Sequence, residues 1–161
     1  TASLIGQALA SSRLDYSNSI LFNAPNCVIH KLQRVQNTLA RIVLKSDYLS
    51  PSEPLLAELH WLPIKSRIQF KIATLTCTAL STSSPHYLAS LLQPYQQSRV
   101  LRSSSQFLLQ PCPSALQFSS RAFRSASPKI WNAIPLSVRT APSISTFKRS
   151  LKTHYFRHPP V

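Results

Sequence analysis

Asp15, Asp47, Glu53 and Glu58 are the four carboxylate side chains of this chain of 161 residues, and five histidines and three cysteines are the other candidates for acid–base or metal chemistry. Two-metal phosphoryl or nucleotidyl transfer needs carboxylates clustered so that both ions are gripped a few ångströms apart. No two of these four are adjacent, and Glu53 and Glu58, five residues apart, fall on different sides of a helix. A zinc site needs close pairs of Cys or His. Cys27 and His30 make one pair, and no second pair completes it. The single glycine, Gly6, rules out the glycine-rich loops that cradle phosphates and the glycine-flanked nucleophilic serine. His60, beside Trp61 at a helix end, reads as a partly buried structural residue. Catalysis is thus the function class that the residue types argue against, and no cofactor is expected for this segment.

The cations point elsewhere. Residues 59–161 carry 13 Lys and Arg and no carboxylate, and the whole chain is +14. Such a charge is self-repelling and favours a polyanionic partner. Lys31, Arg34, Arg41 and Lys45 fall together on one flank of a predicted helix, at about 100° per residue. Arg67 and Lys71 lie one turn apart on a second. Lys148, Arg149 and Lys152 share one face of a third, and Arg121 and Arg124 stand at the edge of a fourth segment. Basic residues on helices neutralise phosphates without reading sequence. The bland reading of the same residues is a solvated cationic surface. Trp61, Phe70, Trp131 and Phe147 could stack on bases, but at helical spacing they read first as core.

The elements that must position these groups are helical. The chain is 43% apolar with 13 prolines, which punctuate the helical stretches. Ser3 to Phe22 reads as helix, broken near Ser11-Ser12. Asn26 is expected to cap a helix whose core stripe is Val28, Leu32, Val35, Leu39 and Ile42, spaced 4-3-4-3. Prolines bracket a short helix from Glu53 to His60. Ile64, Ile68, Ile72, Leu75 and Ala79 form a second long stripe. Pro85 starts a short helix to Leu92. The helical pattern then fails from Gln93 to Pro113, and a strand at 107–110 with a partner through 116–123 predicts a small β-hairpin around residues 105–124. Pro128 opens a helix to Ala133, and Ser143 caps a last one with Ile144, Phe147, Leu151 and Tyr155 inward. The expected fold is mainly α, five to seven helices in a single segment, 1–161. Within it, residues 1–92 form a helical region and residues 93–161 a basic C-terminal region. Cys27, Cys77 and Cys112 are too scattered for a disulfide framework, which favours an intracellular setting, nuclear or cytoplasmic. No apolar run approaches a membrane span, so no membrane partner is expected. The chain starts at Thr1 and has no Met, which reads as a segment of a longer polypeptide.

Six blocks carry a resemblance. SRLDYSNSILF (Ser12–Phe22), HKLQRVQNTLARIV (His30–Val43), LHWLPIKSRIQFKI (Leu59–Ile72), SPHYLASLL (Ser84–Leu92), RAFRSASPKIWNAIPLSVR (Arg121–Arg139) and SISTFKRSLKTHYF (Ser143–Phe156) stand in one order along nearly the whole chain. Together they resemble the thumb-like region after the polymerase core in reverse transcriptases of non-LTR, LINE-type retrotransposons. The family's paired catalytic aspartates and its nuclease carboxylates are absent, and Ser17 and Cys77 depart from the residues expected there. The resemblance implies a non-catalytic accessory region whose partners are RNA or RNA–DNA duplex and the upstream polymerase core, with Mg²⁺ belonging to the parent polymerase. Two alternatives stay open: a helical packing element that completes the polymerase fold, and a decayed mobile-element fragment.

The carboxylate count generates a direct expectation. The purified chain should extend no primer and cut no nucleic acid with Mg²⁺ or Mn²⁺ above buffer. Primer extension abolished by Asp15→Asn or Asp47→Asn would contradict it.

Overall fold

The structure is a computed structural model that describes residues 8, 12–96, 107–114, 116 and 118–159. The chain is mainly helical. It forms two compact units, Thr1–Ile68 with Tyr155–Val161, and Gln69–His154. The expected division at 92/93 falls inside the second unit. The helix read from Ser3 to Ser11 lies outside the described residues except at Ala8.

In the first unit, α1 (Ser12–Asp15) is followed by a 3₁₀ turn, Asn18–Leu21, and then by α2, Asn26–Leu44. Pro25, not Asn26, holds the capping position. Its carbonyl accepts the N–H groups of Val28 and Ile29 at 3.0 and 3.4 Å, and no side chain caps.

The core face of α2 differs from the one its spacing predicts. The buried residues are Ile29, Gln36 and Ala40, while Val28, Val35 and Ile42 are exposed. The inward face is thus turned by about one residue, or roughly 100°. The cause is polar. Gln36 Nε2 donates to the Leu62 carbonyl at 2.8 Å. Gln33 donates to Gln36 Oε1 at 3.1 Å and to Asn37 Oδ1 at 2.8 Å, and its own Oε1 accepts the Ile64 N–H at 2.9 Å. Ile64 is the first residue of α4 (Ile64–Thr82), so α2 caps α4 with a side chain from 31 positions away.

Between them lies α3, Ser52–Glu58, close to the expected span. It ends in a Schellman turn: Trp61 N–H bonds Leu56 O at 2.8 Å, His60 N–H bonds Ala57 O at 3.0 Å, and His60 takes φ 54°. That turn sets Trp61 against Leu56, with which Ala40 completes a buried cluster. His60 itself is exposed, unlike its sequence reading, and its ring meets Phe156 edge-on at 6.5 Å. The stripe of α4 is buried as predicted at Ile64, Ile68, Ile72 and Ala79.

The second unit contains the rest of α4, then α5 (His86–Ala89), α6 (Phe123–Ala133), α7 (Leu136–Arg139) and most of α8 (Ile144–Arg157). No hairpin forms among the described residues of 105–124. Leu109 instead makes an isolated antiparallel bridge with Pro94, and 119–121 is a 3₁₀ turn. The reason is that Leu109 has a better partner: Asn132 on α6 accepts its N–H at 2.9 Å and donates to its carbonyl at 2.8 Å. Helix α6 begins at Phe123, five residues before the expected start at Pro128, because the Ala122 carbonyl accepts the N–H groups of Ser125 and Ala126, each at 2.9 Å. Pro128 inside it costs one backbone bond and is offset by complete burial. Trp131 stacks on Phe147 at 5.8 Å and donates to the Phe107 carbonyl at 2.9 Å. Ser143 caps α8 as expected, accepting the Thr146 N–H at 3.1 Å.

The Asn132 contact replaces a strand partner with one side chain. Asn132→Ala should cost about 1–3 kcal/mol in denaturant unfolding, because both Leu109 backbone groups lose their partner. An unchanged midpoint would refute the assignment.

Candidate nucleic-acid interface

The candidate cations separate into those the fold consumes and those it leaves to solvent. Arg67 is consumed. Its Nε and Nη2 reach both carboxylate oxygens of Asp15, at 2.8 and 2.5 Å, and its side chain is only 14% exposed. The bidentate pair ties α1 to α4, and Asn18 Nδ2 adds a bond to the same carboxylate at 3.3 Å. Sequence spacing sets Arg67 beside Lys71, but the structure gives them different roles: Lys71 is exposed.

Arg41 is half-buried. Its Nε and Nη2 donate to the Ser50 carbonyl at 3.2 and 3.0 Å, closing the loop after α2, and its guanidinium lies 5.8 Å over the Tyr48 ring. Lys31, Arg34 and Lys45 on the same flank are exposed. Lys45 takes the left-handed position that ends α2, with φ 53°, and Ser46 N–H bonds Arg41 O at 3.0 Å. Glycine would ordinarily stand there.

In the second unit Arg121 is half-buried, with its guanidinium 6.0 Å from the Phe118 ring, and Arg124 is exposed on α6. Lys148, Arg149 and Lys152 are all exposed on α8, within an arc of about 100°. Lys148 also acts on Cys77 of α4: burial pushes that thiol up and the ammonium pulls it back. The structure therefore brings together three cations on α8 and three on the flank of α2, and withdraws Arg67.

Sequence reasoning missed Tyr48 and Phe118. Both are exposed, and each lies under an arginine. Their nearness to Lys45 and Arg121 in the chain is the available signal. Exposed aromatics beside cations offer stacking platforms for unpaired bases. The four aromatics singled out by helical spacing do not serve: Trp61, Trp131 and Phe147 are buried and Phe70 is half-buried. Burial also raises the Tyr155 phenol and lowers the Arg139 guanidinium.

Asp15 is committed to Arg67, and among the described residues no three His, Cys, Asp or Glu gather. No helix among those residues is long and apolar enough to cross a membrane. What the arrangement can do is neutralise phosphates and stack bases. No known family model matches the chain, and no curated protein or solved structure matches it.

Proposed function

We propose that this chain binds RNA or RNA–DNA duplex through phosphate contacts, as the accessory region that follows the polymerase core of a retrotransposon reverse transcriptase. One observation carries the binding reading. The second compact unit contains ten Lys and Arg and no Asp or Glu, and three of the ten stand exposed together on α8. Cations without neighbouring carboxylates stay free to meet phosphates, and the counterions that the nucleic acid then releases drive association. Lys71 and Arg124, both exposed, extend the same set. Arg67 is left out because moving it to a phosphate would break its bond to Asp15. The placement in a reverse transcriptase rests on the six blocks of resemblance. It brings the upstream core as the second partner, Mg²⁺ as the parent's cofactor, and an intracellular site of action, nuclear or cytoplasmic.

Contacts made to phosphates rather than base edges imply little sequence preference. Filter binding from low to physiological salt should give a log–log slope of roughly −3.5 to −4.5 if about five phosphates are neutralised. Replacing Lys148, Arg149 and Lys152 together by Ala should reduce that slope by about two to three units. Retention of the parental slope, or no binding even at low salt, would leave the packing role as the function.

A further inference from the structure

The 4-3-4-3 stripe of α2 is a heptad seam of which the described residues cover one row and leave the other exposed. Val28, Val35 and Ile42 occupy one heptad position and Leu32 and Leu39 the other, over a span of roughly 20 Å. The two rows differ. Leu39 packs against the Ala40–Leu56–Trp61 cluster and Leu32 is half-buried, whereas Val28, Val35 and Ile42 are 37%, 54% and 65% exposed. A row of β-branched residues left in water at seven-residue intervals is the surface that another helix packs into.

The flanks say which helix. On one side lie Ile29 and Gln36, buried within the first unit. On the other lie Lys31, Arg34 and Lys45, exposed, and α2 has no acidic residue at all. A second copy is therefore a poor occupant. In antiparallel pairing Lys31 would meet the partner's Lys45, and in parallel pairing the basic flank would have to meet Ile29 and Gln36, which the fold has already covered. We infer that α2 docks an acidic amphipathic helix, with apolar side chains along the Val28–Val35–Ile42 row and Glu or Asp facing Lys31, Arg34 and Lys45. This surface is independent of the three cations on α8.

The test uses the full chain and two synthetic three-heptad peptides, one with Leu at both core positions and Glu at both flanks, the other with Ser replacing every Leu. Fluorescence anisotropy at physiological salt should show the Leu peptide binding at least about tenfold tighter than the Ser peptide. Val35→Ser with Ile42→Ser should lose at least about tenfold for the Leu peptide. Both positions are solvent-facing, and circular dichroism with an unfolding midpoint checks that the variant keeps its fold. Equal affinity for the two peptides, or parental affinity in the folded variant, would overturn the inference. So would dimerisation in sedimentation that the variant abolishes, which would give the seam to a second copy. Loss of RNA affinity in the same variant would assign the face to nucleic acid and overturn it likewise.

Discussion

A pair of glutamines sets the orientation on which much of this structure depends. Gln36 satisfies the Leu62 carbonyl and Gln33 satisfies the Ile64 N–H, on either side of Pro63. Those backbone groups sit where one helix must start after a proline, outside the reach of that helix's own ladder. A buried backbone group without a partner costs about 1–3 kcal/mol, comparable to the burial of a whole aliphatic side chain. The helix that carries the glutamines therefore turns toward the Leu62–Ile64 corner, and its valines turn away. Hydrophobic burial along α2 yields to polar satisfaction.

That rotation decides what the surface can do. It leaves three β-branched residues in water beside an exposed basic flank, and it sets Arg41 over the loop that holds Tyr48. A second constraint acts on the turns. With one glycine in the chain, left-handed positions among the described residues fall to Ser17, Asn23, Lys45, His60, Ser83 and Phe107, all with φ between 49° and 56°. Each costs on the order of 1 kcal/mol or more and persists only where neighbours hold it. The neighbours are visible at three of them: Schellman bonds hold Lys45 and His60, and Trp131 and Arg139 both donate to the Phe107 carbonyl.

What is legible in the sequence follows from which forces are periodic. The stripes of α4 and α8 can be read because their inward positions are apolar, and the Ser143 cap can be read because capping is local. The α2 face defeats the periodicity because Gln36 is polar and its partner lies 26 residues away. The expected hairpin fails for the same reason, since Asn132 substitutes for a strand across 23 residues. Among the candidate site residues, spacing groups the α8 cations, and Lys31, Arg34 and Lys45 on α2, as the structure leaves them, exposed. It cannot tell that Arg67 is spent on Asp15, because an ion pair spanning 52 positions leaves no local pattern.

Polar satisfaction, not the apolar stripe, fixes the inward face of α2. Denaturant unfolding of Gln36→Ala and Val35→Ala, compared side by side, tests it most directly. The glutamine change should cost about 1–3 kcal/mol, through the stranded Leu62 carbonyl, and the valine change no more than about 0.5 kcal/mol, as for a surface substitution. A larger loss for Val35→Ala than for Gln36→Ala would mean that the helix faces the other way.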